Sequence, residues 1–466
     1  MRRIAFALLA CVASLAAAPL VTPAPRRVEW TGARFQFEDP VRIDARRPEA
    51  KPAADRLAEG LRRLGRRSVV PGKSRVGGIR LIIDPKETRP EAYRLETAEA
   101  ETVISAGTAR GLLYGVETLL QLIEPGGRVL GARIEDWPEL SFRGVHICIF
   151  PGTDLRHVER AIRMAARYKY NAIVLEPWAS IASRSHPYMA YEHAYTAAEI
   201  RPLVELARRL QMDVFPLLNS WGHASGMRQR SGEHAVLDRF PDKAALFEPG
   251  GWSFCLSNPA IYPNLFDRAA ELMELFGPSP YFHAGMDEAW GYAGHDACPR
   301  CAKRVPHELI ASHIEKLHKH LTAKGRQVFM WHDMFIRPDD PELGRVSPAN
   351  SRPPVNSHLA LASVPKDVII NAWNYDTKGS WPVPKYFHDR GYRVVVSPWK
   401  ARPNAIMMIN TAKTLGLMGV LETTWDSLDV CLPSIGEAGV LAWTAPGYDL
   451  KAVPFDHWLA VIRTLP

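Results

Sequence analysis

Tyr281-Phe282-His283-Ala284-Gly285-Met286-Asp287-Glu288 is the stretch on which the reading of this chain turns. An apolar run ends in two adjacent carboxylates. Neighbouring residues of a strand point to opposite faces, so Asp287 and Glu288 serve one site only if the strand stops there and the chain bends. A (β/α)8 barrel gathers its reactive side chains at that place, the C-terminal end of a strand. The competing reading is an acidic pair opening a helix, where carboxylates suit the positive end of the dipole.

The surrounding sequence favours the barrel. Strand-like runs begin near Gly144, Ala172, Asp213, Tyr281, Gln327, Asp367, Arg393 and Met418. Helical periodicity lies between most of them, over Leu155–Tyr168, Ile200–Leu210, Leu265–Phe276, Leu309–Lys324 and Asn404–Leu415. Eight strand signals alternating with helices predict a (β/α)8 TIM barrel over residues 138–466. Pro338 to Pro365, rich in Pro and Asn, predicts a long loop with little helix.

A separate α/β rhythm precedes the barrel. Val41–Asp44 and Ile79–Ile83 read as strands around a helix from Ala53 to Leu64, Tyr93–Thr97 and Thr102–Ser105 read as a hairpin, and Thr108–Ile123 carries apolar residues at helical spacing. This predicts a small α/β sandwich domain over residues 25–137.

The remaining composition sets bounds. Residues 1–18 have a basic start (Arg2, Arg3), a short apolar run and a small-residue exit, the pattern of a secretory signal, so the chain is expected to be exported to the periplasm or medium. Cys11 lies inside the apolar run, early for a lipid-bearing cysteine. Loss of that segment lowers the formal charge from +8 to +6, since Arg2 and Arg3 go with it. No long basic tract with interleaved aromatics points to a nucleic-acid partner, and no later run is suited to membrane insertion. Cys298-Pro299-Arg300-Cys301 is the one close cysteine pair. It suits a local disulfide or free thiols, or a structural zinc completed by His295 and His307.

The predicted strand ends collect polar and aromatic residues: Glu176-Pro177-Trp178, Asn219-Ser220-Trp221-Gly222-His223, Asp287-Glu288 followed by Trp290, Trp331-His332-Asp333, Trp373-Asn374-Tyr375, Trp399-Lys400 and Thr424-Trp425-Asp426. Tryptophan thus stands at or just beyond seven of the eight ends. Tryptophan faces with carboxylates make a lining suited to a sugar: rings cover the apolar side of a pyranose and carboxylates bond its hydroxyls.

Several of these pieces resemble glycoside hydrolase family 20, the β-N-acetylhexosaminidases. His283-Ala284-Gly285-Met286-Asp287-Glu288 is similar to the family's His-x-Gly-x-Asp-Glu signature. Ala109–Gly115, Thr118–Leu122, Ile134-Glu135-Asp136-Trp137-Pro138 and Phe142-Arg143-Gly144 are similar to its N-terminal domain and the run into the barrel. Pro216–His223, Met330–Met334 and Trp373-Asn374-Tyr375 resemble the hexosaminidase D-like branch.

The resemblance implies an exo-acting, retaining hydrolase of terminal GlcNAc or GalNAc on a glycan or glycoconjugate. No cofactor or metal is implied. The substrate's 2-acetamido oxygen attacks the anomeric carbon, an exception to the two-carboxylate scheme. Asp287 would orient the acetamido N–H and offset the oxazolinium charge; Glu288 would protonate the leaving oxygen and then deprotonate water. Arg143, Glu176, His223, His283, Trp331, Asp333, Trp373, Tyr375, Lys400 and Trp425 are the expected substrate-binding residues. Trp331, Trp373 and Trp425 would wall the acetamido pocket, and Tyr375 would bond the acetamido oxygen.

Three departures stand out. Many members carry a paired Asp after strand two, a Tyr-x-Asp after strand seven and a Trp-x-Glu after strand eight; here stand Glu176-Pro177-Trp178, Trp399-Lys400-Ala401 and Trp425-Asp426-Ser427. Two alternatives therefore stay open: a carbohydrate-binding barrel without turnover, and a metal-dependent barrel hydrolase.

Overall fold

The computed structural model describes residues 20–70, 78–99, 101–124, 126–225, 236–289, 298–377 and 379–465. The leader, Cys11, Trp290 and His295 lie outside the described residues. Eight parallel strands form one sheet: Phe142–Cys148, Ala172–Glu176, Asp213–Pro216, Tyr281–His283, Gln327–Trp331, Ile369–Trp373, Arg393–Ser397 and Gly419–Glu422. Each pairs with its neighbours in chain order, and a bridge between Leu217 and His283 joins the third strand to the fourth. The molecule is a (β/α)8 barrel.

Local sequence explains where the helices begin. Asp154 accepts the Arg156 N–H at 2.9 Å before the helix Leu155–Arg167. Thr196 and Glu199 form a reciprocal capping box before Ala197–Arg209. The expected loop between the fifth and sixth strands holds a short hairpin and one 3-10 segment, Ser357–Ser363.

Alternation along the strands sorts the apolar side chains. Phe142, Val174, Phe215, Phe329, Ile369, Val395 and Leu421 fill the barrel interior. The opposite faces pack on the surrounding helices in a larger core.

The N-terminal unit is a seven-stranded mixed sheet bearing the helices Lys51–Arg63 and Ala109–Leu122. Its strand order starts Arg27–Gln36, Arg128–Asp136, Tyr93–Thr97, Glu101–Ala106. It docks under the barrel, at the N-terminal ends of the strands. Arg110 reaches Asp213 at 3.1 Å, the first residue of the third strand. Asp136 accepts from Lys169 Nζ at 2.9 Å and from Trp443 Nε1 at 3.0 Å, all three side chains being buried. Trp443, from the last barrel helix but one, packs into the N-terminal core.

This joint corrects one expectation. Arg143 is not at the barrel mouth. It is the second residue of the first strand, so it lies at the bottom, fully buried. Its guanidinium donates to Glu91 at 2.8 Å, to the Leu140 carbonyl at 2.7 Å and to the Lys169 carbonyl at 2.9 Å. It holds the two units together and is out of reach of a sugar in the mouth.

Candidate active site

The fourth strand ends at His283, and the backbone after it takes an uncommon path. Gly285, Met286 and Glu288 have φ of 67°, 84° and 48°. Such left-handed conformations are costly for residues with a Cβ and cluster where function demands them. Here they break the strand's alternation, so adjacent carboxylates face the same hollow. The chain beside them is closely fitted: a Cβ on Gly222 would come within 2.1 Å of the Asp287 carbonyl oxygen. The Glu288 backbone is held at both ends. Its N–H donates to Asp333 Oδ2 at 3.0 Å, and its carbonyl accepts from Trp252 Nε1 at 2.6 Å.

Asp287 and Glu288 line a hollow of about 190 Å³ together with Phe150, Trp178, His223, Trp331, Trp373, Tyr375, Trp399 and Trp425. Five tryptophans in one hollow leave flat apolar faces for a ring-shaped ligand. His223, itself at φ 55°, places Nε2 3.3 Å from Asp287 and 3.5 Å from Glu288. Burial opposes a charged imidazole, but Asp287, Glu288 and Glu176 outweigh it and lift His223 to about 9. Glu288 is pushed up to about 7, first by burial and then by the Asp287 charge; His223 offsets part of this. A carboxyl that keeps its proton near neutrality is suited to general acid work.

The expected substrate-binding residues divide into two groups. His223, Trp331, Trp373, Tyr375 and Trp425 meet at the hollow beside the carboxylates. Tyr375 accepts the Trp425 Nε1–H through its hydroxyl at 2.5 Å.

Glu176, His283 and Asp333 form a layer around and beneath the hollow rather than lining it. Glu176 is bound to His146 Nε2 and Asn219 Nδ2, each at 2.7 Å. His283 accepts the Gly285 N–H at 3.0 Å and meets Asn371 at 3.3 Å, and burial holds its imidazole well below the usual range. Asp333 is fully buried and accepts from Trp373 Nε1 at 3.0 Å and Asn350 Nδ2 at 2.7 Å besides Glu288. Burial, then Asp287, raises its proton affinity. In each case the side chain turned into the wall, where a residue of another strand or of a strand-end loop supplied a partner. Lys400 pairs with Asp426 at 2.5 Å outside the lining residues.

Phe150, Trp178 and Trp399 also line the hollow and were not among the named substrate-binding residues, although the two tryptophans belonged to the expected strand-end aromatic lining. The two tryptophans carried a signal, since both follow strand ends; Phe150 carried none.

The expected zinc set is also corrected. Cys298 and Cys301 are not joined in a disulfide, and the ligand-capable side chain grouped with them among the described residues is Cys255 rather than His307. His307 sits in the first turn of the helix Pro306–Thr322.

Comparison with known proteins follows the same lines. Residues 18–137 match the model of glycosyl hydrolase family 20, domain 2, and residues 164–402 match that of the family's catalytic domain. A β-hexosaminidase of Porphyromonas gingivalis is 24% identical over 362 residues, 68% of this chain and 45% of the relative. A β-N-acetylhexosaminidase of Cellulomonas fimi is 28% identical over 275 residues, 54% of this chain and 52% of the relative. The chain thus spans about half the length of these relatives. The Vibrio harveyi GH20 exo β-N-acetylglucosaminidase structure superposes with a TM-score of 0.73 at 18% identity, covering 96% of this chain and 76% of that one. Streptomyces plicatus N-acetyl-β-hexosaminidase, in complex with Thio-NAglucal, superposes at 0.71 with 20% identity, covering 96% and 94%. The catalytic-domain model alone spans more than half of the sequence and carries the Asp287-Glu288 turn at its centre, so the chain belongs to glycoside hydrolase family 20.

Proposed function

We propose that this chain is an exo-acting, retaining β-N-acetylhexosaminidase that removes terminal GlcNAc or GalNAc by substrate-assisted catalysis. One observation carries the reading: Asp287 and Glu288 face one tryptophan-lined hollow, and Glu288 holds its proton to about 7. Trp331, Trp373 and Trp425 wall the acetamido group, and the Tyr375 hydroxyl meets its oxygen. Asp287 accepts the acetamido N–H, which aims the carbonyl oxygen at the anomeric carbon. Glu288 gives its proton to the departing oxygen as the acetamido oxygen closes an oxazolinium ring. Asp287 offsets the positive charge that develops there. Glu288, now a carboxylate, takes a proton from water as the water opens the ring. Two inversions return the starting configuration.

The third-, fifth- and sixth-strand motifs support the hexosaminidase D-like branch, and residues 1–18 support export. The three departures favour one alternative, a barrel that binds the sugar without cleaving it.

Hydrolysis of aryl β-GlcNAc, β-GalNAc and β-glucoside tests the reading. Turnover of the first or second without the third is expected. Glucoside turnover at a comparable rate would contradict acetamido participation. Binding of N-acetylhexosamine with no release of the aryl group would establish the non-cleaving alternative.

A further inference from the structure

Three cysteines that the proposed hydrolysis does not use converge beside the site. Cys255 belongs to the loop after the third barrel strand. Cys298 and Cys301 belong to the loop after the fourth, one turn apart, with the Cys301 N–H donating to the Cys298 carbonyl at 3.0 Å. All three are fully buried. Cys255 Sγ lies 3.7 Å from Cys298 Sγ and 3.7 Å from Cys301 Sγ.

That spacing decides between two chemistries. A disulfide needs sulfurs about 2.05 Å apart and could join Cys255 to one partner only. Thiolates about 2.3 Å from a tetrahedral zinc stand about 3.8 Å from one another. The observed separations match an edge of that tetrahedron twice over.

A carboxylate stands beside this three-sulfur cluster, next to Cys301. Glu248 is buried, its Oε1 lies 3.4 Å from Cys301 Sγ, and its Oε2 has no hydrogen-bond partner among the described residues. Arg300 sets Nε 3.1 Å from Cys255 Sγ while its Nη2 is anchored on the Phe247 carbonyl at 2.9 Å. A guanidinium there favours the thiolate form and offsets part of the negative charge that three thiolates and a carboxylate would bring to a divalent ion.

We propose that Cys255, Cys298 and Cys301, with Glu248 in the fourth position, bind a structural divalent metal, which the soft donor set identifies as zinc. The ion crosslinks the loops after the third and fourth strands. Those loops carry Trp252, which holds the Glu288 carbonyl, and the Asp287-Glu288 turn itself. The metal touches no reacting atom; it fixes the wall against which the reacting pair is held.

The test is made on the full chain, purified with a reductant and without chelator. Elemental analysis should find about one zinc per chain, released into a metallochromic indicator as an organomercurial titrates the thiols. Replacement by Co²⁺ should give the sulfur-to-cobalt charge-transfer absorption of a thiolate site. Cys255→Ser and Cys298→Ser should bind metal at least about 10-fold more weakly and melt at lower temperature. Cys431→Ser, a buried cysteine elsewhere, should retain the metal. Folded wild-type chain that holds no zinc, gains none when it is added and shows no cobalt charge-transfer band overturns the proposal. So does mass-spectrometric detection of a Cys255 disulfide in the folded chain. Metal content is read apart from glycosidase activity, so the site and the proposed function can fail independently.

Discussion

The two ends of the barrel bury charge in opposite ways. At the bottom, Arg143 meets Glu91 and Lys169 meets Asp136, and backbone carbonyls or neutral donors fill the remaining positions. At the top, Asp287 and Glu288 stand side by side with Asp333 close behind, and His223 is the one basic side chain among the described lining residues. Matched burial of opposite charges makes a joint whose loss would be felt as instability. Crowding of like charges raises proton affinity instead, and the penalty of forming the hollow is what tunes its chemistry.

Substitutions at the top should cost rate. Glu288→Gln should lower turnover of substrates with poor leaving groups by about 100- to 10,000-fold and spare activated aryl glycosides far more. Asp287→Asn should damage both substrate types alike, by about 100- to 1,000-fold. Steady-state kinetics on paired substrates reads this, and equal losses on both for Glu288→Gln would remove it from the acid role. Substitutions at the bottom should cost stability. Asp136→Ala removes the counter-ion of Lys169 in a fully buried site, so denaturant unfolding should show a loss of about 3–5 kcal/mol. Its kcat per folded molecule should stay close to the wild-type value. A large fall in kcat without a stability change would erase the distinction between the two ends.

Smaller effects sharpen the comparison. Activity should fall as pH rises through about 7, where Glu288 loses the proton it must donate. His223 favours the charged form of Glu288, so His223→Gln should move that limb to higher pH. Stability has its own pH dependence at the top. The folded-state values of Glu288 and His223, about 7 and about 9, both lie above their ordinary values of 4.5 and 6.5. Their contribution is complete below those ordinary values and is lost as pH rises through the folded ones. Thermal unfolding should therefore show stability contributed by these two groups fading between about pH 5 and pH 9. Trp373→Phe, which removes one donor from Asp333, should cost about 1 kcal/mol.

Much of this was legible in the sequence because it was written in periodicity. The eight barrel strands begin within a few residues of the expected starts, and the helix Thr108–Ile123 is observed as Ala109–Leu122. Arg27–Gln36 was illegible for a physical reason: it is an edge strand exposed along most of its length and so carries no apolar alternation. The site divided in the same manner. Tryptophans at five strand ends reached the hollow, because wide rings cover it from any side, whereas Trp221 after the third strand turned the other way and is fully buried in the outer core. Charged residues at strand ends were ambiguous, since Glu176 and Asp333 found partners in the wall. Arg143 was misplaced because its role came from the resemblance alone, whereas its rank within the strand already put it at the other end.

The left-handed turn from Gly285 to Glu288 has an evolutionary corollary. The acid and its orienting partner are consecutive residues whose common aim depends on that one contorted corner. Inserting or deleting a single residue between them would swing one out of register. The pair can therefore be transplanted only as a cassette, corner included. A chimera that grafts either carboxylate alone onto another barrel's rim should inherit neither role.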